Sequence, residues 1–278
     1  TGQMSFDVIA DDGVDEDPDE DAYSREATHI AFVLAIGKLG FVLLLGIFLP
    51  LFMATGLIRD EMTSGTMHFM IAKPIARSEI FLYRVLGYLG IVWPYIIVLG
   101  ILGALVSGFV GSGDEFFRFA DLGVWLAIVF ATMMATLVYG MMFNALGVLW
   151  KYGIILAIPF AAWELGMALL SMGVPDATIL RFSVIGWALM IVDSAAMLVW
   201  PSLDMFILMG DWGGGGTGSD IFGSSSLRGS VPLNFFTSKP GLGLSAFAST
   251  IVATLVLLVQ AVVFWFLGGV LFKGKEIQ

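Results

Sequence analysis

Two carboxylates stand inside long apolar runs. Glu164 sits in Ala161-Ala162-Trp163-Glu164-Leu165-Gly166, and Asp193 sits in the run 184–200. A charge at the centre of a bilayer costs about 2.5–3.5 kcal/mol on insertion scales, so each carboxylate should face a bundle interior or be protonated. Three kinds of chemistry fit. The pair could line a translocation path, form structural hydrogen bonds between helices, or share a proton and activate water as an intramembrane aspartyl dyad does. The Gly-x-Gly-Asp element of such proteases is absent. Asn144 is the third polar candidate, as a path residue or as an interhelical hydrogen-bonding amide. His29 and His68 fall on opposite sides of the topology derived below, which argues against a shared metal site. Gly210-Asp211-Trp212-Gly213-Gly214-Gly215-Gly216-Thr217-Gly218-Ser219 is glycine-rich but lacks the Gly-Lys-Ser/Thr ending of a phosphate loop, so it reads as a linker.

The elements that must hold these residues are membrane helices. The 278 residues are 58% hydrophobic and 13% charged, with a mean hydropathy of +0.93. A soluble domain carries about 25% charged residues, and several runs reach the ~20 residues needed to cross a bilayer. The fold class is therefore all-α, a polytopic transmembrane bundle. There are no cysteines, hence no disulfide framework. Nor is there a basic footprint for nucleic acid. Residues 1–29 carry ten acids against Arg25, so most of the net charge of −10 lies in this acidic head. It reads as a solvated outer segment. No signal peptide is expected within the chain.

The stretch Arg59 to Arg84 is the longest charged interruption between apolar runs, with Arg59, Lys73, Arg77 and Arg84. Short basic loops stay in the cytoplasm, so this segment is placed inside. Spans are expected over about 39–57, 85–110, 122–142, 153–172 and 247–272. Residues 273–278 form a cytoplasmic tail and 209–243 an outer Gly/Ser-rich loop. Lys38 is expected at the outer boundary of the first span, its amine reaching headgroups. An outside start and inside finish require an odd number of crossings, so 184–200 is read as interfacial or re-entrant. Ala131, Ala135, Gly140 and Ala145 offer small surfaces for close packing. Within the inner segment, Met62, Thr66, Phe69, Met70 and Lys73 share one side of a short amphipathic helix, which Pro74 stops.

Glu61-x-x-x-Gly65-Thr66, then Pro74-Ile75-Ala76-Arg77 and the basic Arg84, resemble the signature of type-2 ABC transporter permeases, in the branch with a long outer segment before the motif. The resemblance implies that the short helix is a coupling element docking on a separate cytosolic ABC ATPase, with Glu61, Gly65, Thr66, Phe69, Pro74 and Arg77 as coupling residues. It also implies a second permease subunit, identical or sister, in the cell membrane. ATP and Mg would belong to the ATPase, and this chain would be neither an enzyme nor a cofactor protein. Two features depart from the pattern. The family has a helix before the outer segment, expected here upstream of Thr1 or removed unless the member is divergent. Met62 also stands where a basic residue is common.

The reading is an ATP-driven permease subunit, acting as an exporter, with Glu164, Asp193 and Asn144 as candidate path residues. Two alternatives differ in class: an intramembrane enzyme using Glu164 and Asp193, and a non-transporting membrane assembly subunit.

Overall fold

The computed structural model describes residues 18–58, 77–111, 116–149, 152–173, 177–201, 203 and 242–274. The described residues form helices and connecting turns and contain no strand. The first helix begins as α1 (Pro18–Ala35), continues as a π-helical segment (Ile36–Phe48) and ends as α2 (Leu49–Ala54). Pro50 falls within this continuous helix, directly after the π segment, where the Leu49 N–H still bonds the Leu45 carbonyl. Next come α3 (Arg77–Val110), α4 (Asp121–Leu149), α5 (Gly153–Gly173), a 3-10 turn (Thr178–Phe182), α6 (Val184–Val199) and α7 (Ala246–Lys273). Five stretches are long and apolar enough to cross a membrane: Arg25–Ala54, Ser78–Val110, Asp121–Leu149, Gly153–Ser171 and Ala246–Lys273. The chain is thus a polytopic helical bundle, as its composition requires.

The helices extend beyond the expected spans. The α3 helix starts at Arg77 and runs through Pro94, and α4 reaches Leu149. Hydropathy marks only the part of a helix that contacts lipid or core, so the polar first turns of α3 are lost from such a reading, whereas the added residues 143–149 of α4 are themselves mostly apolar.

The packing is organised on α4, whose most apolar window is 61% buried against 28% in α3 and in α7. Small residues set the approach of its neighbours. A Cβ at Gly100 or Gly103 of α3 would overlap Val129 or Trp125 of α4, so those glycines admit the larger side chains. Ala131, Ala135, Gly140 and Ala145 are all buried, and the Tyr88 ring lies over Gly140. At one end of the bundle, Trp265 donates from Nε1 to the Ser78 carbonyl at 3.4 Å, joining the start of α3 to the half of α7 that ends at Lys273. This is the Lys273 end.

The opposite, Asp121 end carries a charged cluster. Arg118 donates from Nη2 to Glu26 at 2.9 Å and from Nε to Asp121 at 3.1 Å, while His29 Nε2 lies 2.6 Å from Asp121 Oδ2. The cluster ties α1 to the start of α4. It also explains Gly111, where any Cβ would overlap the His29 ring.

Candidate intramembrane polar site

Lys38 does not sit at a boundary. It is 3% exposed, within the π segment, and its ammonium meets the carboxylate of Asp193 on α6. The first span begins near Arg25, so Lys38 lies well inside it. A lysine inside a span can extend to headgroups or find an acid; here the acid is present and the residue is buried with it.

Glu164, on α5, is 6% exposed and accepts four hydrogen bonds. Its Oε2 receives the Tyr139 hydroxyl of α4 at 2.7 Å, the Ser183 hydroxyl at 2.7 Å and the Ile185 N–H at 3.0 Å, and Oε1 receives the Val184 N–H at 3.3 Å. Ser183 has extended dihedrals and accepts the Gly186 N–H at 3.3 Å, so it is the N-cap of α6. Donating once and accepting once, it satisfies its hydroxyl. The carboxylate takes up N–H groups that a helix start leaves without intrahelical partners, at the positive end of the dipole. Two further contacts fix the approach. Trp187 Nε1 donates to the Arg181 carbonyl at 2.9 Å, and Gly186 leaves room for the Leu180 carbonyl, only 2.5 Å from where its Cβ would stand.

These contacts set the course of α6. Its first turn lies against Glu164 and Tyr139 deep in the bundle, and Val199 lies against Gly123, at the Asp121 end, 2.7 Å from a hypothetical Cβ there. Its 16 residues span about 24 Å. That is shorter than the ~30 Å hydrocarbon core.

The structure brings Glu164 together with the start of α6, and Asp193 together with Lys38. It does not bring the two carboxylates together. Asp193 lies about 13 Å further along the α6 axis than Val184, at ~1.5 Å per residue. The shared proton of an aspartyl dyad needs carboxylates in contact. Asn144 is 1% exposed, and neither its amide oxygen nor its nitrogen has a hydrogen-bond partner, so the expected interhelical bond is not made. Of the coupling residues, Glu61, Gly65, Thr66, Phe69 and Pro74 lie outside the described residues, as does His68; Arg77 is the first residue of α3. Among the described residues, no group of three or more His, Cys, Asp or Glu could hold a metal ion.

Sequence reasoning missed Lys38 as the partner of Asp193, and Tyr139 and Ser183 as the partners of Glu164. Only Ser183 carried a local signal, as a serine directly before an apolar helical run.

No curated protein and no solved structure matches the chain. A family model described as "ABC-2 family transporter protein" matches residues 3–152. That interval includes Lys38, the whole Glu61–Arg84 motif and Asn144, and stops short of Glu164 and Asp193. Covering more than half of the chain, the match means that this polytopic helical protein belongs to the ABC-2 transporter family and is a membrane permease component.

Proposed function

We propose that the chain is the permease subunit of an exporter driven by a separate cytosolic ABC ATPase, and that it works with a second permease subunit. The observation that carries this reading is the family match across residues 3–152, because it includes the charged segment Glu61–Arg84. In this reading the Lys273 end faces the cytosol. Arg77, Arg84 and Lys273 lie there, and basic residues near span ends are retained inside. The Asp121 end then faces out, and α6 is a re-entrant helix entering from that side. Its length, short of a full crossing, supports this. ATP hydrolysis belongs to the partner, and coupling runs through Glu61, Gly65, Thr66, Phe69, Pro74 and Arg77. Glu164 and Asp193 act in the membrane by holding α6, and Asn144, buried in α4 without a partner, is a path residue. The separation of the two carboxylates, each with its own partner, disfavours the hydrolytic alternative.

The test is biochemical. Full-length chain purified from its native membrane should bring down an ATP-hydrolysing subunit whose rate it raises. Glu61→Ala with Arg77→Ala should return that rate to the unstimulated value while leaving membrane insertion intact. Persistent stimulation would remove the coupling role. A cysteine at Ser64 should react with an impermeant thiol reagent only from the cytosolic side.

A further inference from the structure

Polar groups are distributed unevenly along α6. At its Ser183 end, Glu164, Tyr139, Ser183 and Trp187 all hold partners. Toward its Trp200 end, buried polar atoms lack them: the Ser194 and Trp200 side chains make no hydrogen bond. The ion pair between Lys38 and Asp193 binds this half to the first span. The two attachments also differ in kind. Glu164 receives four donors, two of them backbone N–H groups fixed by the helix start. Lys38 offers one ammonium on a flexible stem. That stem rises from a π-helical segment 13 residues long, whereas π hydrogen bonding usually occupies a single turn and often marks a functional site. Rewinding the segment to α hydrogen bonding would change the bearing of Lys38 about the helix axis.

We propose that α6 is a hinged plug. It pivots at Ser183 on the Glu164 carboxylate, and release of Lys38 from Asp193 lets the Trp200 end swing aside and admit water from the Asp121 end of the bundle. Buried hydroxyl and indole groups without partners gain hydrogen bonds on hydration, so this half of the helix gains from opening what the Ser183 end would lose. Lys38 and Asp193 are the latch, and Glu164 is a positioning residue for the pivot. The purpose of the movement, passage of substrate on the outer side, rests on the transporter reading; the movement does not.

The chain contains no cysteine, so reporter thiols can be introduced singly. Full-length protein in proteoliposomes, with neither nucleotide nor ATPase, is labelled with a charged, membrane-impermeant methanethiosulfonate. Ser194→Cys reports on the Trp200 half, and Val184→Cys on the pivot; the native residues are 0% and 5% exposed. Adding Lys38→Met or Asp193→Asn should speed labelling of the Ser194→Cys protein about tenfold or more, as opening of one half requires. The Val184→Cys rate should stay at its parent value. The exchange Lys38→Asp with Asp193→Lys should restore slow labelling at position 194. Unchanged labelling at 194 in both latch variants would overturn the proposal, as would equal acceleration at 184, which would mean that the whole helix is dislodged. Should neither latch variant accumulate in the membrane, the parent background decides. The thiol at 194 must still react about tenfold faster than that at 184, against the order of static burial; equal rates overturn the plug. Because no ATPase is present, a negative result here leaves the coupling experiment independent.

Discussion

The two ends of α6 are both buried and anchor the helix differently. At Ser183, three neighbouring elements converge on one carboxylate: Glu164 from α5, Tyr139 from α4 and the first N–H groups of α6 itself. Further along, one flexible ammonium from the first span meets Asp193, and the side chains of Ser194 and Trp200 go without hydrogen bonds. The difference teaches that burial alone does not measure how firmly a membrane helix is held. Apolar packing is similar in lipid and in protein, so polar attachments make much of the distinction between alternative placements.

The largest effect should come from Glu164→Ala. It strands two hydroxyls and two backbone N–H groups at once. Each unsatisfied buried donor costs about 1–3 kcal/mol, partly recovered by relaxation, so a loss of about 4 kcal/mol is expected. The thermal midpoint of the full chain in detergent, read by size-exclusion recovery, checks this. Glu164→Gln should fall between, because one oxygen still accepts. A neutral Glu164→Ala would mean that the pivot is not anchored by its polar contacts.

Next come the latch residues. Lys38→Met or Asp193→Leu alone leaves an uncompensated buried charge and should cost about 3 kcal/mol, whereas the double variant should return close to the parent stability. A double-mutant cycle on the same thermal assay measures the coupling. Additive losses would dissolve the comparison, because Lys38 would then be acting through packing.

Ser183→Ala should cost about 1 kcal/mol, the usual effect of removing a serine N-cap. Its measurement belongs beside Glu164→Ala, since the two share the Oε2 atom and their effects should not add.

Much of this arrangement was legible in the sequence, and the remainder was not for identifiable reasons. Apolar runs long enough to span showed the crossings, and the cost of a buried charge required Glu164 to face inward. The short run at 184–200 breaks the odd parity of the other spans, which sets it apart from them. Hydropathy places Lys38 at a boundary because it cannot distinguish a lysine that leaves the membrane from one paired inside it. The deciding residue, Asp193, lies far along the chain. The same holds at the Asp121 end, where Glu26 and His29 reach Arg118 and Asp121 across a whole hairpin. Ser183 could have been found, because a cap signal is local. Tyr139 could not, because the carboxylate its hydroxyl reaches, Glu164, lies on another helix and no local pattern joins the two.

The smallest expected effect is the most pointed for the comparison. Ser194 is fully buried in the Trp200 half of α6, and its hydroxyl has no partner. If its surroundings are dry, Ser194→Ala removes a desolvated polar group and should leave the thermal midpoint unchanged or raise it, by about 0.5 kcal/mol at most. If water already reaches the hydroxyl and hydrogen-bonds it, the same substitution should cost about 1 kcal/mol. The sign therefore reports whether this half of α6 is closed or hydrated at rest. A closed plug requires the first outcome in the parent and the second once Lys38→Met is present. Two small numbers of opposite sign, in two backgrounds, would separate a releasable half-helix from one that is merely less well packed.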